Sequence, residues 1–265
     1  MQAGSVQTMC TEKLKQYLQI VVMLLFSLYP LVYAGDKDIC QFQVVETLPH
    51  DSNNFTQGLL LYQGKLFESV GGYGESKLIE YQWPNLEKKQ VVELPRKLFA
   101  EGIAIADGRL FQLTWKTGDV IVYRAHDLSV ERTYFFGGQG WGLALYGDRL
   151  VRSDGSHCLY YHRTNNFHFT RMVCLPKKQY RLNALAVQDG VIYANDYPTD
   201  RILRIDQKTH QILDTIDLTA LRSGYYAGIS NGIAAMSSGE ILVTGKNWDK
   251  MYRIDVSACR AATAK

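Results

Sequence analysis

The chain is 265 residues long, 46% hydrophobic and 12% aromatic, with a formal net charge of +3. That near-neutral balance, with no block of basic residues, argues against nucleic acid as the main partner. The length is enough to bury a core as one domain, because repetitive β architectures commonly exceed the usual domain size, and 17 tyrosines with 10 phenylalanines favour strands over helices.

Residues 1–34 stand apart. Lys13 and Lys15 precede an almost uncharged run from Leu18 to Val32, closed by Val32-Tyr33-Ala34 before Gly35 and Asp36. A basic flank, an apolar core and a small-residue exit predict a secretory signal cut near Ala34. The other reading is an uncleaved membrane anchor, for which the run falls short of the ~20 residues of a span. Cleavage removes Glu12, Lys13 and Lys15, and leaves a formal charge of +2 on a single domain over residues 35–265. Such a chain is expected to be exported, to the periplasm or the surrounding medium, without stable membrane insertion, and to act as a monomer.

The stretch from Gln41 to Leu48 alternates as a half-buried strand should. Beyond it a short phrase recurs five times: Gln57-Gly58-Leu59, Glu101-Gly102-Ile103, Trp141-Gly142-Leu143, Asn183-Ala184-Leu185 and Asn231-Gly232-Ile233, at intervals of 44, 40, 42 and 48 residues. Each phrase opens an apolar segment that meets a turn (Gln63-Gly64, Asp107-Gly108, Gly147-Asp148, Asp189-Gly190, Ser238-Gly239) and continues into a second strand. A repeat of about 40–45 residues built from short strands predicts a β-propeller with one four-stranded blade per repeat.

The expected strands are 57–62, 65–70, 77–82 and 88–94 in blade one, and 102–106, 109–114, 119–124 and 130–136 in blade two. Blade three takes 142–146, 149–153, 157–163 and 168–175; blade four takes 184–188, 191–195, 201–206 and 211–217. The fifth repeat supplies only 232–236, 240–244 and 250–256, and a missing outer strand leaves an exposed edge. Gln41–Leu48 can fill it, antiparallel to 250–256, so the fold class is an all-β five-bladed propeller whose last blade is completed by the N-terminal strand. One helical turn is expected near 218–223.

Four cysteines remain once Cys10 leaves with the signal. Cys158 and Cys174 are symmetric about Asn166, so a hairpin centred there sets their sulfurs face to face at disulfide distance. Cys40 opens the first mature strand and Cys259 follows the last, where pairing of the two chain ends would bring them together. Three pairings are open to four cysteines; geometry favours 158–174 and 40–259, and four buried thiols are the alternative.

In a propeller the innermost strands line the axis, so matched positions of successive blades converge. One such ring holds Gln57, Glu101, Trp141, Asn183 and Asn231. A second, just beyond the second strand of each blade, holds Gly71, Trp115, Gly155, Tyr197 and Lys246. Together they bring a carboxylate, an ammonium, amides and aromatic walls to one channel mouth, the composition of a small-ligand site. Singly each has a plain reading: Trp141 as channel filler, the asparagines as loop braces, Lys246 as a solvated lysine paired with Glu101. Other signals are weak. No His-x₃-His or Cys-x₂-Cys spacing supports zinc, no Gly-x-Ser-x-Gly elbow is present, and His162 and His168 are expected on solvent or blade faces.

Several of these phrases, in this order, resemble the propeller-type glutaminyl cyclases (glutamine cyclotransferases) of plants and bacteria. They are Phe55-Thr-Gln-Gly-Leu59, Phe67-Glu-Ser69, Gly72-Tyr-Gly74, Glu101-Gly102, Gln112-Leu-Thr-Trp-Lys116, Gly140-Trp-Gly-Leu143, Ser153-Asp-Gly155, Tyr193-Ala-Asn195, Thr199-Asp-Arg201, Asn231-Gly-Ile233 and Val243-Thr-Gly-Lys246. The resemblance spans Phe55 to Asp255. It implies a five-bladed propeller that cyclises the N-terminal glutaminyl residue of peptides and proteins to pyroglutamyl, releasing ammonia without a metal or other cofactor. By that likeness Glu101 is the essential carboxylate, and the proton transfers of the reaction then make it general base and general acid, with Lys246 and Asn183 expected to steady the oxyanion. Phe55, Gln57, Trp115 and Trp141 shape the substrate pocket, and Phe99, Gln112, Tyr197 and Asn231 complete the substrate-binding candidates. Two positions depart from the family habit: Tyr197 stands where Trp is usual, and Ala184 where an acidic residue usually follows Asn183. The competing function is an exported propeller that binds a peptide or sugar without turning it over.

Overall fold

The computed structural model describes residues 39–236 and 239–259; the expected signal segment lies outside them. Among the described residues, 20 strands form five four-stranded antiparallel sheets. A first strand, β1 (Gln43–Pro49), precedes the repeats. Blade one is β2 (Thr56–Tyr62), β3 (Lys65–Val70), β4 (Lys77–Gln82) and β5 (Glu87–Glu93). Blade two is β6 (Ala100–Ala106), β7 (Arg109–Thr114), β8 (Asp119–Arg124) and β9 (Val130–Phe135). Blade three is β10 (Leu143–Tyr146), β11 (Arg149–Arg152), β12 (Cys158–Arg163) and β13 (Phe169–Cys174). Blade four is β14 (Leu182–Gln188), β15 (Val191–Asp196), β16 (Arg201–Asp206) and β17 (Ile212–Asp217). β18 (Ser230–Ala235), β19 (Glu240–Gly245) and β20 (Lys250–Asp255) make up blade five with β1, which pairs antiparallel to β20 from Gln43 opposite Asp255 to Pro49 opposite Lys250. The expected helical turn is a 3₁₀ segment at Thr219–Leu221.

The hairpin chemistry explains the regularity. Gln63-Gly64, Asp107-Gly108 and Asp189-Gly190 each place two consecutive residues at positive φ, the two-residue turn whose twist matches that of paired strands. Middle strands such as β3 and β7 are buried on both faces, which is why they read as nearly continuous apolar runs. Five apolar clusters fill the five gaps between neighbouring sheets. Phe67, Leu78, Ile103 and Tyr123 pack blade one on blade two, and Leu66, Ile79, Leu242 and Met251 pack blade five on blade one.

Both expected disulfides are present. Cys158 and Cys174 sit directly opposite in the register of β12 and β13, and Cys40 joins Cys259 across the chain ends, with Cα atoms 5.2 Å apart. Just before Cys40 the chain also touches blade four, through an isolated parallel bridge between Ile39 and Thr215.

Two placements differ from expectation. His162 is not on a surface: it is 1% exposed, stacked on Phe167 at 4.2 Å and beside Arg152. Burial in that apolar niche pulls its imidazole down to about 4, so it is neutral at pH 7. Gln112 is not a pocket residue. Its carboxamide is fully buried between blades, donating to Ser69 Oγ (2.9 Å) and accepting from the Tyr123 hydroxyl (2.8 Å), so that each end of the buried amide has a partner. Asn54, within an Asn-Phe-Thr sequence, is also buried, its amide donating to Glu68.

The Cys40–Cys259 bridge closes a loop with a sequence separation of 219 and Cys158–Cys174 one of 16, so loop-closure entropy makes the first the stronger clasp. The Cys40→Ser/Cys259→Ser protein is expected to lose about 2–5 kcal/mol in urea unfolding, and Cys158→Ser/Cys174→Ser less. Equal losses would contradict the role given to the chain ends.

Candidate active site

Four of the five inner-strand phrases coincide with a slip in register. Pairing shifts between Thr56 and Gly58, Ala100 and Ile103, Leu182 and Leu185, and Ser230 and Ile233, so Gln57, Glu101, Asn183 and Asn231 all sit in β-bulges. A bulge adds a residue to one strand and re-aims its side chain, which is why bulges gather beside active sites. It also explains why β6, β14 and β18 begin two residues earlier than the apolar pattern alone predicts.

Nine of the predicted residues line one cavity of about 270 Å³ at the channel mouth: Phe55, Gln57, Phe99, Glu101, Trp115, Trp141, Asn183, Tyr197 and Lys246. Asn231 stands behind it. Its amide donates to Gln57 Oε1 (2.6 Å) and to the Thr56 carbonyl (3.0 Å), leaving Gln57 Nε2 to donate to Glu101 Oε1 at 3.3 Å. The glycines of the second ring make room rather than contact. A Cβ on Gly71 would come within 2.8 Å of Gln57, and one on Gly155 within 2.6 Å of the Trp141 indole.

The walls are aromatic and meet edge to face. Phe99 is 5.5 Å from Trp115 and 6.3 Å from Phe55 between centroids, and Trp141 is 5.4 Å from Tyr197. The Lys246 ammonium lies 4.7 Å from the Phe55 ring centre and 5.3 Å from that of Tyr197, in cation–π range. Tyr197 therefore faces both the indole of Trp141 and the cation of Lys246.

Glu101 is 4% exposed. Burial pushes its carboxyl well above the usual range, and the Lys246 charge holds part of that rise back. Lys246 is lowered in turn, by burial against the opposing pull of Glu101. A second buried carboxylate shows the contrast. Glu68 accepts from Thr56 Oγ1 (2.7 Å), Asn54 Nδ2 (2.9 Å), the Tyr81 hydroxyl (3.0 Å) and His50 Nε2 (2.9 Å). Burial pushes Glu68 up too, but His50 and these hydrogen bonds overcome it and its carboxyl ends below the usual range. Glu68 is a satisfied structural anion; Glu101 keeps a raised carboxyl and one hydrogen bond. Asn183 adds one further opening, because its buried Oδ1 has no hydrogen-bond partner.

Sequence reasoning missed Gln139 and Arg152. Gln139 Oε1 accepts from both pocket indoles, Trp115 Nε1 at 2.9 Å and Trp141 Nε1 at 3.1 Å. The only trace in the sequence is its place between glycines in Gly137-Gly138-Gln139-Gly140, outside the repeated phrase.

Comparison with known proteins agrees with this geometry. The sequence profile described as glutamine cyclotransferase matches residues 18–256. A curated Arabidopsis thaliana protein, glutaminyl-peptide cyclotransferase, is 34% identical over 236 residues, covering 84% of this chain and 73% of its own length. The crystal structure of Myxococcus xanthus glutaminyl cyclase superposes with a TM-score of 0.73 at 34% identity, covering 81% of this chain and 97% of that one. The WD40 repeats of RRP9 superpose at 0.51 with 10% identity, over 78% and 79% of the two chains, a likeness of fold alone.

The raised Glu101 carboxyl carries a stability consequence. Folded, Glu101 binds its proton more tightly than when unfolded, so unfolding releases a proton once the pH exceeds the ordinary carboxyl value of about 4.3, and stability falls as pH rises toward the raised value. Glu101→Gln, which cannot ionise, is expected to melt at a higher temperature than the parent near neutral pH, with the advantage vanishing below about pH 4. Thermal unfolding at the two pH values checks this; a variant less stable at neutral pH would contradict it.

Proposed function

The chain belongs to the glutamine cyclotransferase family, and from that premise we propose how its residues convert an N-terminal glutaminyl residue to pyroglutamyl with release of ammonia. It is a glutaminyl-peptide cyclotransferase. The observation that carries the mechanism is Glu101, a carboxyl buried in an aromatic cup with a single hydrogen bond from Gln57 and a raised pKa. A module that only held its ligand would gain nothing from so costly a group; a proton shuttle needs one whose pKa approaches the working pH.

The substrate α-amine has a pKa of about 7.7–8.0 when free, so an appreciable minority is neutral and nucleophilic at pH 7. That nitrogen attacks the side-chain amide carbon, forming the C–N bond of a five-membered ring. The carbonyl π pair moves to oxygen, which becomes an oxyanion. Glu101 takes the proton the attacking nitrogen must lose. The same carboxyl then delivers it to the departing NH₂ as the C–N bond breaks, so ammonia leaves and Glu101 returns to its starting form. Such general acid–base catalysis contributes typically ~10²–10⁴ in rate.

The Lys246 ammonium and the Asn183 Nδ2 stabilise the oxyanion. Asn183 Oδ1, buried without a partner, accepts an N–H of the substrate carboxamide or amine. Gln57, fixed from behind by Asn231, keeps Glu101 aimed. Trp115, Trp141, Phe99 and Tyr197 enclose the short aliphatic chain and bind it apart from water.

Two disulfides suit an oxidising compartment, and no helix among the described residues is long and apolar enough to cross a membrane. With the basic and apolar segment before Gly35 they support an exported enzyme acting in the periplasm or outside the cell.

Glu101→Gln is expected to abolish ammonia release from a Gln-initiated peptide, followed by mass spectrometry, while the near-ultraviolet circular dichroism stays that of the parent. Full activity in that variant would refute the assignment. Lys246→Met removes the charge that restrains Glu101, so its carboxyl rises further and the acid limb of the kcat/KM profile moves to higher pH. Lys246→Arg retains the charge, and the limb should stay near the parent's. A limb unmoved by Lys246→Met would show that Lys246 does not bear on the base.

A further inference from the structure

Two walls of the pocket come from different blades: Trp115 follows β7 of blade two, and Trp141 precedes β10 of blade three. Blade packing does not by itself fix the gap between two indoles at an open mouth. The structure spans that gap with one atom. Gln139 Oε1 accepts from Trp115 Nε1 at 2.9 Å and Trp141 Nε1 at 3.1 Å. Indole nitrogens only donate, so the carboxamide orientation is set by its partners: oxygen toward both rings, Nε2 away.

The backbone of Gln139 is secured from below. Its carbonyl accepts from Arg152 Nη1. Arg152 is 5% exposed, its guanidinium held between the rings of Phe136 (4.6 Å) and Tyr160 (4.4 Å). Its Nε donates to His162 Nε2 at 3.4 Å, and that imidazole, neutral, donates through Nδ1 to the Phe167 carbonyl at 2.9 Å. On the other side the following residue, Gly140, donates to the Trp115 carbonyl at 3.0 Å. An exposed side chain thus stands on a buried, hydrogen-bonded support.

We propose that Gln139 is a positioning residue for the cyclisation, a strap that holds the indoles of Trp115 and Trp141 at the separation the glutaminyl side chain requires. This rests on the cyclotransferase reading only for its kinetic arm. The strap acts on the walls, which contact ground state and transition state alike, so its loss weakens uniform binding and appears in KM rather than kcat.

The test compares Gln139→Leu, of similar size with no acceptor, and Gln139→Glu, whose carboxylate accepts from both indoles. The first readout needs no substrate. Four indole N–H resonances are available, from Trp83, Trp115, Trp141 and Trp248. In ¹H–¹⁵N spectra Gln139→Leu is expected to shift two of them and leave two in place, and Gln139→Glu to keep all four hydrogen-bonded. The second readout is turnover of a Gln-initiated peptide: Gln139→Leu raises KM about tenfold with kcat within about twofold, the loss of roughly one to two hydrogen bonds of ordinary strength, and Gln139→Glu restores KM to within about threefold. Unshifted indoles in Gln139→Leu, or equal impairment of both variants, would overturn the proposal. If the parent protein itself released no ammonia, the cyclotransferase reading would fail while the spectra still decided the strap.

Discussion

The molecule depends on how closely its five inner strands approach one another at the axis. Where blades two and three meet, Gly102 N–H donates to the Trp141 carbonyl at 2.7 Å, and a Cβ on Gly102 would lie 2.6 Å from that same oxygen. A Cβ on Gly142 would come within 2.9 Å of Ala184 Cα. No side chain fits at either point, so glycine after the varied residue is required by contact in blades two and three, whereas blade four accommodates Ala184 at the matched position. Closure of the ring through β1 and β20 then makes that approach cooperative, because each blade is wedged by its two neighbours. A bulge at this crowded point turns the preceding residue toward the channel. Scaffold and site are consequences of one packing constraint.

The two buried carboxylates show how the same fold divides structure from chemistry. Both pay the desolvation cost of burial. Glu68 recovers it through four donors, one of them the His50 imidazole, and the cluster it anchors also fixes Thr56, between Phe55 and Gln57 of the pocket. Glu101 receives one long hydrogen bond and the distant help of Lys246, and its carboxyl stays high. The pocket is therefore assembled on a well-satisfied polar foundation while its own polar atoms, the Glu101 carboxyl and Asn183 Oδ1, are left short of partners. This is the usual relation between a preorganised site and the stability it forgoes.

Much of this was legible before any coordinates. Period and turn chemistry gave the blades, and strand ends agree to within two residues. The disulfides followed from a symmetric hairpin and from the meeting of the chain ends. Matched repeat positions found Gln57, Glu101, Trp141, Asn183, Trp115, Tyr197 and Lys246, because equivalent residues of a ring must converge. Gln112 was misplaced for a reason that period cannot reveal: it sits on a strand whose both faces are buried, and its neighbours Ser69 and Tyr123 come from elsewhere in the chain. His162 was misplaced likewise, since only tertiary packing showed Phe167 and Arg152 covering it.

The sequence by itself determined the number of blades, the closing strand, the covalent clasps and which side chains could meet at the channel mouth, all of them properties of local periodicity and of a closed ring. Only the tertiary structure decided what those side chains are once they meet. The raised carboxyl of Glu101, the retreat of Asn231 behind Gln57 and the bridging of two indoles by Gln139 depend on burial and on hydrogen-bond partners dozens of residues away. Distances of a few ångströms in a dry environment fix protonation and aim, and no one-dimensional pattern encodes them.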